Sequence, residues 1–205
     1  MKIPRLLAIS DAAATPGPDW RRWCEELGAA GVDGLQVRRR ACADRERLAL
    51  AREARQVTSG PRAIFVNGRP DIALAARADG VQLPASGLPV AETRRFFGAA
   101  LLVGRSTHTV DEVLRARDQG ADFVLFGPVF ETPSKRGRIP ARGIFGLTEA
   151  VACGLPVLAV GGIDESNAFQ VVTSGAWGLA AIRWFGDPAA GRPHFESLQR
   201  TWRES

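Results

Sequence analysis

Eight short apolar segments, nearly every one followed by a stretch with helical spacing, predict an α/β protein whose parallel strands close into a (β/α)8 barrel, or TIM barrel. The strand count and the even spacing favour closure over the alternative, an open doubly wound sheet. With 205 residues, of which 45% are hydrophobic and 24% charged, the chain can bury one sizeable core. We therefore expect a single compact domain over residues 1–205.

Turn-forming residues separate the elements of the first half. Asp19 is placed to cap the first helix, Pro70 suits the first turn of the third helix, and Pro84 closes the fourth strand. Strands are predicted at 5–10, 34–37, 63–66 and 81–83, and helices at 19–27, 44–57, 70–79 and 90–97.

Glycines punctuate the second half. The fifth strand is expected to break at Gly104, and Gly161-Gly162 form a sharp turn before a helix that opens at Asp164. Strands are predicted at 101–103, 123–126, 156–160 and 177–182, and helices at 110–119, 145–153, 164–174 and 195–202. His194 is expected in a solvated tail loop.

The charge pattern bears on the partners. The net charge is +5, but the arginines are scattered along helical segments rather than gathered into one stripe. The sequence has no Tyr and no aromatic run that could stack bases. We predict no nucleic-acid partner, and expect the excess positive charge to help draw in a phosphorylated metabolite.

The sequence gives little indication of a membrane span, a signal peptide or a disulfide. No stretch reaches the roughly 18 uninterrupted apolar residues of a membrane span, and the first residues do not read as a signal peptide. We predict no membrane partner and a cytoplasmic location. Cys24, Cys42 and Cys153 are odd in number and widely spaced, which favours reduced thiols over disulfides. Homo-oligomer formation stays open.

The carboxyl ends of parallel strands meet at one mouth of a barrel, and the loops after the strands build the site there. His108 and Lys135 follow strands five and six, so an imidazole and an ammonium should face the same mouth. This pairing predicts an enzyme that acts on a small anionic molecule. The residues expected to converge there are Arg38, Asn67, Gln82, Ser106, His108, Lys135, Gly162 and Arg183.

The pair Gly161-Gly162 after strand seven is typical of a phosphate cradle, because bare backbone amides bind an oxyanion without a charged side chain. Ala181 and Ile182 would supply the other half of the cradle, with Arg183 adding charge. The alternative is a tight turn that needs glycine only for its positive φ.

Ser106 and Thr109 can cap the helix after strand five, which would leave the His108 imidazole free to take and return a proton near neutral pH. The alternative is that His108 is itself a capping group. Lys135 and Arg38 are candidates to clamp a carboxylate or phosphate, against the alternative of a solvated lysine.

Amides and acids complete the expected mouth. Gln36 and Gln82 could fix a polar ring atom or finish strand-end hydrogen bonds, and both interpretations stay open. Asp11 and Glu131 are the acids expected to face the mouth, which is weak support for a magnesium site. We therefore predict no metal and no other cofactor.

Three segments, LQVRRR, GPVFETPSK and LAVGGIDESNA, resemble the thiamine phosphate synthase family. The resemblance covers strands one to eight and implies a Mg²⁺-dependent joining of a pyrimidine diphosphate to a thiazole phosphate. The sequence departs where the family has an Asp after the strand-three Asn and another in the loop after strand four. Here Gly68 follows Asn67, residues 84–87 contain no acid, and Arg40 replaces the family's Lys.

The segments VNGRPDIAL, GVQLP and VGRSTHT are similar to the TenI-type thiazole tautomerase branch. That resemblance implies an isomerase of thiamine biosynthesis, which converts an ylidene carboxythiazole phosphate to the aromatic carboxythiazole phosphate without metal or diphosphate. It implies that His108 transfers the proton. It places the phosphate on Gly161-Gly162 and Ala181-Ile182, the carboxylate on Arg38 and Lys135, and the ring against Asn67 and Gln82.

Two alternatives to the tautomerase stay open. One is a thiamine phosphate synthase, the Mg²⁺-dependent transferase. The other is a non-catalytic barrel that binds the small-molecule phosphorylated thiazole and acts in regulation, because a fold does not guarantee turnover.

Overall fold

Eight parallel strands close into a barrel in chain order, the last strand pairing with the first. The structure, a computed structural model, describes residues 2–11, 19–39, 42–57, 59–132 and 139–204. The strands are β1 (Leu6–Ile9), β2 (Gly34–Val37), β3 (Ala63–Asn67), β4 (Gly80–Leu83), β5 (Leu102–Thr107), β6 (Phe123–Phe126), β7 (Val157–Val160) and β8 (Gly178–Ala181). The helices are α1 (Trp20–Ala29), α2 (Asp44–Gln56), α3 (Pro70–Ala75), α4 (Val90–Phe97), α5 (Val110–Asp118), α6 (Gly143–Val151), α7 (Ala168–Thr173) and α8 (Pro188–Glu204). The predicted (β/α)8 barrel is confirmed, and the open sheet is wrong.

Alternate strand residues divide the core into two clusters, as the period-two geometry of a strand requires. The smaller cluster fills the barrel, where the Phe65 and Phe123 rings meet edge to face at 5.2 Å between centroids. The larger cluster lies between the strands and the surrounding helices. Towards the carboxyl ends, amide side chains replace apolar ones: Gln36 and Gln82 are 1% and 0% exposed. This polar layer is the floor of the mouth.

Gly104 lies inside β5, so the predicted strand break at this glycine is wrong. A Cβ there would lie 2.2 Å from Gln82 Oε1 and 2.3 Å from Phe123 Cζ. The glycine therefore makes room for two interior side chains and leaves the strand uninterrupted. As a result Arg105 and Ser106 are strand residues rather than loop residues.

The last two helices differ from the predicted ones because side-chain contacts decide their ends. Helix α7 begins at Ala168, not Asp164, since Ser166 donates from N and Oγ to Asp164 Oδ1 and holds a turn. Helix α8 begins at Pro188 and includes His194, so the predicted tail loop is wrong. Phe185 and Phe195 pack at 4.9 Å between centroids and stabilise this helix despite its internal Pro193.

None of the helices in the described ranges has the length and apolar character to cross a membrane.

Candidate active site

A cavity of about 850 Å³ lies at the carboxyl edge of the barrel. Its volume is in the range of small-molecule sites. Nine of the predicted site residues line it: Arg38, Asn67, Ser106, His108, Gly161, Gly162, Ala181, Ile182 and Arg183. Gln82 lies behind the wall and is fully buried. Lys135 lies outside the described residues, so its predicted place in the mouth stays a prediction.

A layer of amide side chains forms the inner wall of the cavity. Asn67 Nδ2 donates to Gln36 Oε1 at 3.2 Å, and Gln82 Nε2 donates to Ser106 Oγ at 3.2 Å. Gln36 Nε2 and Gln82 Oε1 are buried and have no hydrogen-bond partner among the described residues. A buried amide donor without a partner costs free energy, and Gln36 lines the cavity. Its Nε2 is therefore available to a polar atom of a ligand, whereas Gln82 supports Ser106 from behind.

His108 is held at both its backbone and its ring. Its N–H donates to Glu112 Oε2 at 2.5 Å, and its Nδ1 lies in hydrogen-bonding contact with the Gly127 carbonyl. A carbonyl accepts, so Nδ1 carries the proton and Nε2 is the ring nitrogen left for a ligand. Thr109 caps α5, accepting from Glu112 N at 3.3 Å, as predicted. The other predicted cap, Ser106, lies within β5 and accepts a hydrogen bond from Gln82, so the α5 cap is Thr109 alone among the described residues.

Arg38 is positioned by two neighbours. Its Nη1 donates to Asp11 Oδ2 at 2.7 Å, and its backbone N–H donates to Ser10 Oγ at 2.8 Å. The Arg38 side chain is only 17% exposed, which strengthens charge-assisted contacts relative to bulk water. Both charged groups line the cavity. Asp11 thus orients a guanidinium at the end of β2.

Gly161 and Gly162 have φ values of 101° and 66°, which favour glycine. A Cβ on Gly161 would lie 2.6 Å from Pro128 Cβ, and one on Gly162 would lie 2.4 Å from the Glu131 carbonyl oxygen. The tight turn is therefore real, and among the loop bonds of the described residues the backbone N–H groups of Gly162 and Ile163 donate to no backbone carbonyl. Helix α7 starts only at Ala168, so these amides belong to a loop rather than to a helix start.

The acidic side chains near the mouth do not fit a magnesium site. Asp11 is paired with Arg38, and Glu131 is exposed and does not line the cavity. On the β3 side, Arg69 pairs with both Asp44 and Asp71. The described residues contain no group of three or more His, Cys, Asp or Glu that could hold a metal ion. A hard divalent cation needs well-placed carboxylates, and these residues do not supply them.

The fold and this mouth define a (β/α)8-barrel protein with a polar pocket at the carboxyl edge, bordered by arginine and by bare amides. The chain belongs to the thiamine monophosphate synthase family, TMP-TENI, which it matches over residues 6–185. It is 41% identical over 179 residues to the thiamine-phosphate synthase of Methanoculleus marisnigri, covering 86% of this chain and 85% of that protein. It is 40% identical over 194 residues to the thiamine-phosphate synthase of Synechococcus sp., covering 91% of this chain but 54% of that longer protein.

A solved structure agrees with these relatives. The thiamine phosphate pyrophosphorylase from Pyrococcus furiosus superposes with a TM-score of 0.84 at 30% identity, covering 98% of this chain and 96% of that one. The predicted family is therefore confirmed. The predicted TenI-type tautomerase, and with it the isomerase activity, is wrong: the relatives that match most of the chain are named synthases, which are transferases. The misleading signals were the departures at Gly68 and at residues 84–87 and the similarity of VNGRPDIAL, GVQLP and VGRSTHT to the tautomerase branch, in a chain that matches the family over residues 6–185.

Proposed function

We propose that the chain is a thiamine-phosphate synthase, a transferase that joins a pyrimidine diphosphate to a thiazole phosphate. In this reaction the thiazole nitrogen forms a bond to the methylene carbon of the pyrimidine. The bond from that carbon to the diphosphate oxygen breaks, and the diphosphate leaves with the electron pair. The observation that carries the proposal is the identity of about 40% over most of the chain to proteins named for this activity.

Anion-binding groups lie at two separate places in the mouth, which supports a reaction with two phosphorylated substrates. The bare amides of residues 161–163, with Ala181, Ile182 and Arg183 beside them, suit the thiazole phosphate. Arg38, after β2, suits the leaving diphosphate, whose negative charge grows as the bond breaks. Lys135 is proposed as a second cation for the same group.

The inner wall suits a flat polar ring between these two anion sites. Gln36 Nε2 is a buried donor without a partner in the described ranges, and Asn67 donates to Gln36 Oε1. Ser106 lines the cavity with Gln82 behind it. His108 presents Nε2 to the substrate as an acceptor, so we propose a binding role for it in place of the predicted proton transfer. No step is assigned to a metal, since the described acids do not fit one.

The test incubates the purified protein with both halves in magnesium buffer and measures thiamine phosphate by mass spectrometry and free diphosphate by a coupled assay. We expect Arg38→Ala to lower kcat/KM for the pyrimidine diphosphate by about 30-fold, the loss of one partly buried charge-assisted contact. Arg115→Ala, an arginine on the exposed side of α5, is the matched control. A wild-type protein that forms no product above the protein-free blank would overturn the proposal.

A second candidate is a barrel that binds thiazole phosphate without turnover. It is favoured by one observation, the lack of a suitable carboxylate cluster among the described residues. The same assay separates the two, because this protein would bind the thiazole phosphate by calorimetry and release no diphosphate. A cytoplasmic location is part of either proposal.

A further inference from the structure

Three consecutive carbonyls of the loop after β7 are held by partners. Val129 N–H donates to the Val160 carbonyl and Phe130 N–H to the Gly161 carbonyl, each at 3.0 Å. Asn167 Nδ2 donates to the Gly162 carbonyl at 2.9 Å. The first two partners are backbone N–H groups, which no substitution other than proline removes. The third is a side chain.

The carbonyl partners fix the direction of the amides. A trans peptide is planar, with its C=O and N–H pointing in opposite directions. The Gly162 carbonyl points to Asn167, which does not line the cavity, whereas Gly162 and Ile163 do. The Ile163 N–H, in the same peptide plane, therefore points away from Asn167. It donates to no other backbone carbonyl of the described chain, although Ile163 is buried, with 6% exposure.

Asn167 is itself fixed at its other end. Its Oδ1 accepts from Asp164 N–H at 3.1 Å, so the carboxamide bridges the two ends of the turn between β7 and α7. Both halves of the amide are used, and an Asp or an Ala at 167 would lose the donor to Gly162. This explains why α7 begins late, at Ala168, since three of the four residues before it, Asp164, Ser166 and Asn167, are held by side-chain hydrogen bonds.

We propose that Asn167 is a positioning residue that aims the Ile163 amide at a phosphate oxygen of the substrate. It holds the peptide between Gly162 and Ile163 in the orientation that turns the Ile163 N–H away from Asn167 and toward the cavity. It does not touch the phosphate. The choice of thiazole phosphate as the physiological ligand rests on the proposed function, whereas the recognition of an oxyanion does not.

The experiment titrates inorganic phosphate into the protein labelled with ¹⁵N and follows the amide signals of residues 161–163. In the wild type these signals should shift and saturate. Asn167→Ala should weaken phosphate binding about tenfold and abolish the shift of Ile163, the effect of one misdirected hydrogen bond. Asn167→Asp keeps the acceptor for Asp164 N–H but loses the donor and adds a negative charge, so its loss should be at least as large.

Ser166→Ala is the matched control, because it removes a hydrogen bond from the same turn and leaves the Asn167 contact to Gly162 intact. We expect it to bind phosphate as the wild type does, even where its melting temperature falls. In steady-state assays Asn167→Asp should raise KM for thiazole phosphate with little change in kcat. Phosphate affinity within twofold of wild type in both Asn167 variants would overturn the proposal, as would unshifted amides 161–163 in the wild type. Failure of the transferase assay alone would leave the titration result standing.

Discussion

The two sides of the barrel mouth are built from different groups. On the β7 and β8 side, the cavity is lined by residues 161–163 of the loop after β7 and by residues 181–183 at the end of β8 and just after it. On the β3 and β4 side, side chains hold the loops: Arg69 donates to Asp71 at 2.6 Å and also pairs with Asp44. Arg105 donates to the Ala85 and Leu88 carbonyls, each at 2.8 Å.

The difference explains how the mouth can attract anions. The backbone side depends on close packing and on positive φ, so it is insensitive to pH and should tolerate few substitutions. On the β3 and β4 side, the carboxylates of Asp44 and Asp71 are paired with Arg69, so few acids remain for a ligand. Burial lowers the pKa of the Arg105 guanidinium, the charge of Glu112 opposes this change, and the guanidinium donates to two backbone carbonyls.

The largest expected effect is on the backbone side. In Gly162→Ala, the added Cβ would lie 2.4 Å from the Glu131 carbonyl oxygen, at a φ of 66° that L residues rarely adopt. We expect phosphate affinity to fall about 100-fold, because both strain and displacement of the loop act on the amides. Gly154→Ala is the control, since Gly154 has a φ of 75° and open space around it. Equal losses of phosphate affinity in the two variants, measured by calorimetry, would contradict the prediction.

A smaller effect is expected on the side-chain side. Arg105→Ala removes both hydrogen bonds to the loop after β4 and should lower the free energy of unfolding by about 1–2 kcal/mol. KM for the pyrimidine diphosphate should rise about fivefold, because Pro84, Ala85 and Ser86 line the cavity. Arg95→Ala, whose side chain is 74% exposed on α4, provides the control in urea unfolding and in the assay. An unchanged KM would show that this loop does not shape the site.

The smallest effect concerns pH. A hydrogen bond from Arg69 lowers the pKa of Asp71, so this carboxylate stabilises the fold above its ordinary pKa and loses that contribution as the pH falls through the depressed value. The pair is exposed, so Asp71→Asn should cost less than about 1 kcal/mol at pH 7. The difference between variant and wild type in urea unfolding should shrink below about pH 4. A difference that stays constant down to pH 2 would contradict the assignment.

The sequence predicted the barrel and most of the mouth for one topological reason. In a closed parallel barrel, residues that end successive strands converge whatever their distance along the chain, so Arg38, Asn67 and Ser106 could be assigned to one cavity from strand order alone. Gly161 and Gly162 could be found in the same way. The family was also readable, since the segments that carry it are contiguous.

Contacts between loops could not be predicted, because they depend on distances that strand order does not specify. The sequence places Asn167 inside a predicted helix, so its hydrogen bond to the Gly162 carbonyl, which accompanies the late start of α7, could not be predicted. Gly104 looked like a break until the barrel interior showed which side chains need its space. The isomerase prediction was wrong because local departures from the family pattern, at Gly68 and at residues 84–87, do not outweigh the similarity to the synthases over most of the chain.

The sequence by itself determined the order of strands and helices, and hence which residues reach the carboxyl edge, because hydrophobic period and turn residues are local properties. The tertiary structure alone decided which polar groups are paired and which stay free. Asp11 is bound to Arg38 and Asp71 to Arg69, while Gln36 Nε2 has no partner in the part of the chain that the structure describes. Hydrogen bonding and ion pairing depend on fractions of an ångström between elements far apart in the chain, and only folding sets those distances.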